Sequence, residues 1–196
     1  LEHWQVRRAD RVFAYTDRGA AAAWRAGARA VTTVMNSTDI GYLQIAEPDP
    51  RVLRFANGAG RTFGYIGALD ASKRIGFLAR ALDELWERDR TARVIIAGDG
   101  PDAPLLREAE ARGQALLTGY GTPETKKAIS QTCEAILCPG RIGLVAIETL
   151  AMGRPLISTR WPFHAPEVEY LHEGSSLLFT DDDPRSFAEG ALTNPL

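Results

Sequence analysis

The chain has 196 residues, and a globule of that size buries roughly 70% of the surface its unfolded form exposes, so it needs no disulfide or metal staple. Apolar residues make up 45% and charged residues 24%, and 23 bases against 25 acids leave a formal charge of −2. That balance supplies no basic stripe for a nucleic acid and no polybasic membrane patch, and no apolar run approaches the ~20 residues of a membrane-spanning helix.

In chain order, residues 11–15 read as a short strand and the Ala-rich residues 20–28 as a helix closed by Gly27. The β-branched residues 31–34 read as a second strand, broken by Asn36-Ser37-Thr38-Asp39. Residues 40–58, with Pro48, Pro50, Asn57 and Gly58, read as a linker. They divide the chain into a segment 1–58 and a domain 59–196. Beyond them, apolar strands are predicted at 63–66, 94–97, 115–118, 135–138, 155–158 and 177–179. Helices are predicted between them at 74–88, 102–112, 122–132, 143–152 and 166–172, and a last one opens at Pro184 behind Asp183 as cap. Strands this apolar are buried on both faces. The fold class is therefore α/β: a Rossmann-like parallel sheet with helices on both faces and ligands at the carboxyl ends of its strands.

Only Lys73, Lys126 and Lys127 are lysines, so 20 of the 23 bases are arginine. Cys133 and Cys138 are the only cysteines and read as reduced, packed thiols, which points loosely to a reducing, cytoplasmic setting. The chain begins with Leu1 and stops abruptly at Thr193-Asn194-Pro195-Leu196, which reads as a piece cut at both ends.

Four turns at strand ends carry the chemistry. The first, Gly67 to Arg74, opens a helix with two cations, Lys73 and Arg74. Cations oppose the dipole there, and an anionic ligand would offset them. The second, Gly98-Asp99-Gly100-Pro101, nearly matches a dinucleotide fingerprint, but the next strand ends Thr118-Gly119-Tyr120 with no acid for an adenosine ribose. A plain tight turn and a turn lining another nucleotide site both remain open. The third, Gly140-Arg141-Ile142-Gly143-Leu144, lets backbone approach a ligand and aims the N–H groups of a helix start at a phosphate. Glu148 follows on a helix that is apolar nearly all round, where a carboxylate needs a partner; ribose hydroxyls would serve. The fourth, His164-Ala165-Pro166, either touches a ligand or caps and packs. Asp181-Asp182-Asp183 fits a metal-holding Asp-x-Asp pattern, yet its place before Pro184 favours helix capping.

In this order the turns resemble the donor-binding half of GT-B glycosyltransferases, most of all the large retaining family numbered four, or glycosyl transferases group 1. The resemblance runs from Phe63 to about Gly190. It rests on Tyr65-Ile66-Gly67 with Lys73, Ile95 to Pro101, Leu117-Thr118-Gly119, and Gly143-Leu144 through Glu148 to Pro155. Residues 9–39 look like the last βαβ of an acceptor-side domain. The resemblance implies that Glu148 holds the nucleotide ribose, Lys73 lies near the diphosphate, and Gly143 and Leu144 face the phosphates. It places the Thr118 and Gly119 backbone where the base is read. It also implies a nucleotide-sugar donor, an acceptor sugar or glycolipid held by a missing N-terminal domain, no metal and no other cofactor. Peripheral membrane association of the longer enzyme is compatible with it.

Two departures stand out. Gly140 occupies the place of the first acid in the family's Glu-(seven residues)-Glu motif, as in bacterial relatives with Pro-Gly-x-Ile/Val-Gly-Leu. Ala68 occupies that of its usual arginine, leaving Arg141 or Arg74 to supply the cation. The reading is a glycosyltransferase fragment that binds a nucleoside-diphosphate sugar. The alternatives are a GT-B-like binding module or epimerase, and a dinucleotide oxidoreductase.

Overall fold

The structure is a computed structural model that describes residues 3–193. Its first part holds helix α1 (His3–Arg8), strand β1 (Val12–Ala14), helix α2 (Asp17–Arg25) and strand β2 (Val31–Thr33), with β1 and β2 parallel. Thr16 caps α2, its Oγ1 accepting from the Gly19 N–H at 3.0 Å. Gly27, at φ +91°, ends the helix in a conformation that costs a glycine least. Helix α1 left no mark in the sequence reading.

Residues 40–58, expected as a linker, contain two helices, α3 (Tyr42–Ile45) and α4 (Pro50–Ala56). Both pack on α7 (Pro123–Thr132), and Val52 is fully buried there. Pro50 stands at the first position of α4, behind an Asp49 carboxylate that accepts from the Arg51 N–H at 2.8 Å. Pro50, which looks like a breaker, is therefore a helix-start signal.

The main sheet contains β3 (Thr62–Ile66), β4 (Arg93–Ala97), β5 (Ala115–Gly119), β6 (Ala135–Cys138), β7 (Leu156–Thr159) and β8 (Leu177–Thr180). Helices α5 (Ile75–Arg88), α6 (Arg107–Ala111), α7, α8 (Val145–Met152) and α9 (Pro184–Thr193) connect and cover these strands. The helix expected at 102–112 begins as a 3-10 turn, Ala103–Leu106, and the one expected at 166–172 is a 3-10 turn throughout, Pro166–Tyr170. All neighbouring strands are parallel, in the order β5-β4-β3-β6-β7-β8.

Alternation along β3 fixes the two layers. Phe63 and Tyr65 face Leu78, Leu82, Leu85 and Phe187 of α5 and α9, whereas Ile66 faces Ile129 and Ala146 of α7 and α8. Each fully buried large apolar side chain contributes roughly 1.5–3 kcal/mol, so this two-layer core holds the sheet without covalent help. Cys133 and Cys138 belong to it: burial pushes their thiols up, to about 12 and about 11. They are packed thiols, as expected.

The strand order reverses between β3 and β6. Chain leaving β3 turns to one side of the sheet and chain leaving β6 to the other, which opens a crevice between their carboxyl ends.

Candidate functional site

A cleft of about 490 Å³ lies at this reversal point. Gly67, Ala68 and Lys73 line it from the turn after β3, Gly98 and Asp99 from the turn after β4, and Tyr120 and Gly121 from the end of β5. Leu144, Val145 and Glu148 of α8, Lys126 of α7 and Thr38 complete the lining.

One end of the cleft is made of backbone. The turns after β3 and β4 bond to each other: the Leu69 N–H donates to the Asp99 carbonyl at 2.9 Å, and the Asp102 N–H to the Leu69 carbonyl at 2.9 Å. A Cβ at position 98 would lie 2.0 Å from the Gly67 carbonyl oxygen, and one at position 100 would lie 2.4 Å from that of Leu69. Glycine is required at both positions by the protein's own packing, and Gly100 serves this closure without lining the cleft. The same contacts account for the near-match to a dinucleotide fingerprint.

Asp70 caps the 3-10 turn Ala71–Lys73, accepting from the Ser72 N–H at 2.9 Å. The Ser72 hydroxyl, bonded to the same carboxylate, holds Asp70 below its ordinary range. Lys73 ends the turn at the cleft, its ammonium donating to the Arg141 carbonyl at 2.6 Å. The loop after β6 lies against this turn. A Cβ on Gly140 would sit 2.4–2.6 Å from the Lys73 backbone. Gly140 is thus buried against protein and away from the cleft. No larger residue fits at that position unless the loop shifts.

Helix α8 starts at Val145, two residues later than expected, with Leu144 as its cap. Among the described residues the N–H groups of Gly143 and Leu144 have no acceptor, and a Cβ at position 143 would meet nothing within 4 Å. These N–H groups are open donors at the positive end of a helix.

The other end of the cleft is made of charged side chains. Glu148 is 7% exposed, and its Oε1 accepts from the Lys126 ammonium at 2.5 Å. Lys126 is the partner that the apolar setting of Glu148 demanded and that the sequence reading missed. Its Nζ also lies 5.6 Å from the centre of the Tyr42 ring. Burial, with the Glu148 and Asp39 charges, raises the Tyr42 phenol far above its ordinary value.

Other expected residues lie elsewhere. Arg74 points away from the cleft: its guanidinium donates to Asp182 at 2.6 Å, to Thr159 Oγ1 at 3.1 Å and to the Pro139 carbonyl at 3.2 Å. Arg74 also adopts a left-handed conformation at φ +56°, ending one helical turn and starting α5. Arg141 is exposed beside Lys73. Thr118 bonds back to the Ile96 carbonyl at 3.1 Å, and Gly119, at φ +75°, shifts the register of β5 against β4. His164 packs: its Nδ1 accepts from the Ile142 N–H at 3.2 Å and its Nε2 lies 2.9 Å from the Thr159 carbonyl. Burial lowers its pKa, consistent with a neutral ring. Asp183 caps α9, accepting from the Ser186 N–H at 2.9 Å, and Asp182 is held by Arg74. Tyr120, 83% exposed at the cleft mouth, is a lining aromatic that went unnoticed because nothing in its local pattern separates it from a surface tyrosine.

An open parallel sheet with glycine turns, an open helix start and a cleft at the reversal point defines an α/β domain whose candidate site lies at the carboxyl ends of its strands. Residues 60–193 match the family model described as glycosyl transferases group 1, and the chain belongs to that family. Alpha-D-kanosaminyltransferase of Streptomyces kanamyceticus is 31% identical over 101 residues, which cover 48% of this chain and 26% of that protein. The chain spans about a quarter to under a half of the length of the curated relatives it matches. Among solved structures, TarM superposes with a TM-score of 0.72 at 15% identity, covering 98% of this chain and 38% of TarM. Anabaena HepE in complex with UDP and glucose gives 0.66 at 16%, covering 98% and 57%. The fold is that of GT-B glycosyltransferase structures.

Proposed function

We propose that this chain carries the donor-binding half of a retaining glycosyltransferase and holds a nucleoside-diphosphate sugar, the leading case a hexose donor, in the cleft between β3 and β6. The observation that carries the reading is the cleft's mixed chemistry. Lys73, Leu144 and the buried Glu148 carboxylate line the cleft, and the open N–H groups of Gly143 and Leu144 start the helix that carries Glu148, all on the stretch matched by the family model.

In this reading the diphosphate lies against Lys73 and the start of α8, with Arg141 in reach, and the ribose lies against Glu148. The base lies toward Gly119 and Tyr120, whose exposed ring offers a stacking face. As an acceptor hydroxyl attacks the anomeric carbon and the bond to the diphosphate breaks, negative charge grows on the leaving oxygen. The ammonium and helix-start donors stabilise it there. These groups supply the positive potential that other transferases take from a metal, and two acids of the Asp181–Asp183 run are already engaged by Arg74 and α9. Residues up to about 39 end an acceptor-side domain, and the donor domain, residues 59–196, also takes in α3 and α4, which pack on α7. The acceptor, a sugar or glycolipid, is held by a facing domain, so the isolated chain binds without transferring. A reducing, cytoplasmic setting suits its two buried thiols, and peripheral membrane contact belongs to the longer enzyme.

A thermal-shift panel of UDP, GDP, ADP, dTDP and NAD, run with and without EDTA, tests the reading. At least one nucleoside diphosphate raises the melting temperature and EDTA leaves the shift intact. A response to NAD alone overturns the assignment, and loss of the shift on chelation restores a metal site.

A further inference from the structure

Lys126 is one of only three lysines in the chain, and it is committed to the cleft. Its ammonium touches Glu148 Oε1 at 2.5 Å, and the ring of Tyr42 lies beneath it. Lys127, the next residue, donates to the Leu43 carbonyl, so neighbouring lysines of α7 fasten α3 beside the cleft. The Tyr42 hydroxyl is buried and has no hydrogen-bond partner in the structure, so packing and the cation hold its ring in place.

Each carboxylate oxygen can accept two hydrogen bonds, and Lys126 occupies one of the two on Oε1, so a hydroxyl that approaches Oε1 also meets the ammonium. Displacing Lys126 would strand an ammonium against an aromatic face and leave a carboxylate, whose side chain is 9% exposed, with no cation beside it. Breaking a buried pair in this way costs more than a single hydroxyl bond returns. An ammonium has three donors. One is spent on Oε1 and one faces the ring, which leaves one for the cleft that Lys126 lines.

We propose that Lys126 is part of the ribose site, and that the Lys126–Glu148 pair reads the two hydroxyls as a unit. Glu148 Oε2 accepts from one hydroxyl, and the Lys126 ammonium donates to the oxygen of the other. The inference rests on the reading that Glu148 faces the ribose. It adds a specificity-determining residue from a helix that local sequence marks as ordinary surface.

Calorimetry with UDP, GDP and ADP identifies the base, and the best of these is then compared with its 2′-deoxy form. Four proteins are measured besides wild type: Lys126→Met, Lys126→Arg, Glu148→Gln and the Lys126→Met/Glu148→Gln double variant. Lys126→Met is expected to bind about tenfold more weakly and to lose most of its preference for the ribonucleotide, while Lys126→Arg stays within about threefold of wild type. The double variant is expected to be much less impaired than the two single losses combined, because the groups act together. If Lys126→Met keeps wild-type affinity and preference while Glu148→Gln loses them, the inference fails and the role of Glu148 stands. If Glu148→Gln also keeps them, the underlying reading fails. Should Lys126→Met not fold, NMR of the wild-type Lys126 ammonium decides. The ribonucleotide shifts its resonance and the 2′,3′-dideoxy nucleotide does not; a resonance unmoved by both overturns the inference.

Discussion

The two ends of the cleft are built by different means. In the glycine-turn part, backbone packs on backbone: Gly98 on Gly67, Gly100 on Leu69, Gly140 on Lys73. Its polar groups are peptide N–H donors and one ammonium anchored on a carbonyl. In the charged part, three side chains from α3, α7 and α8 meet around a single charge pair. The first end is fixed at Gly98, Gly100 and Gly140, where a Cβ would overlap neighbouring backbone. The second owes its form to electrostatics, so a single substitution can retune it while the fold survives.

The sharpest way to break the comparison is to crowd the backbone end. Gly98→Ala places a Cβ 2.0 Å from a carbonyl oxygen, and overpacking of this kind costs about 3 kcal/mol, or a fall of roughly 6–12 °C in melting temperature. Gly143→Ala, where a Cβ meets nothing within 4 Å, is expected to leave the melting temperature nearly unchanged and to act on nucleotide binding instead. Calorimetric melting of the two variants separates closure from ligand contact.

At the cleft mouth, Tyr120→Ala is expected to weaken the preferred nucleoside diphosphate by about 1–2 kcal/mol, the size of a lost base–aromatic stack, without changing stability. Equal binding by both proteins in calorimetry would put the base elsewhere. Ala68→Arg tests the backbone end from the opposite direction. Position 68 is exposed and lines the cleft, so a guanidinium fits without repacking. Affinity for the diphosphate is expected to rise several-fold over that for the nucleoside, and a uniform change in both would show that the new charge misses the phosphates.

A smaller effect is set by pH. His164 pins the loop after β6, and burial holds its pKa below the ordinary 6.5. The unfolded chain therefore binds more protons than the folded one below that value, so stability is full above about pH 6.5 and falls as pH drops through it. Wild type is expected to lose more melting temperature between about pH 7.5 and pH 5.5 than His164→Gln does. Parallel losses would mean that the ring does not titrate against the fold.

The same contrast explains how much the sequence disclosed. The strands of the main sheet are short apolar runs with turn residues at their ends, and their parallel pairing follows from alternation with helices. Gly67, Lys73, Gly98, Leu144 and Glu148 were singled out because glycine turns and a lone acid on an apolar helix are local signals, and all five line the cleft. Pairings across the chain carry no such signal. Lys126 meets Glu148 from 22 positions away, and Arg74 is drawn to Asp182 across 108. Arg74 looked like a phosphate ligand because its sequence neighbours are a helix start; its spatial neighbours are an acid, a hydroxyl and a carbonyl. Gly140 looked like a ligand approach because glycine near a helix start often is one, but the space it vacates is filled by Lys73 backbone. Helix α4 was hidden because proline at a helix start and proline in a linker look alike until Asp49 is seen to cap, and α3 because a single turn of four residues with no side-chain cap leaves no periodic pattern.

The account turns on Glu148, and one calorimetric comparison tests it most directly. Wild-type protein and Glu148→Ala are titrated with the preferred ribonucleoside diphosphate and with its 2′-deoxy form. A hydroxyl bonded to a charged group contributes about 1.5–3 kcal/mol, so wild type is expected to prefer the ribonucleotide by roughly one to two decades and Glu148→Ala to lose most of that preference. A variant that discriminates as well as wild type would take the ribose away from Glu148 and, with it, the orientation of the donor in the cleft.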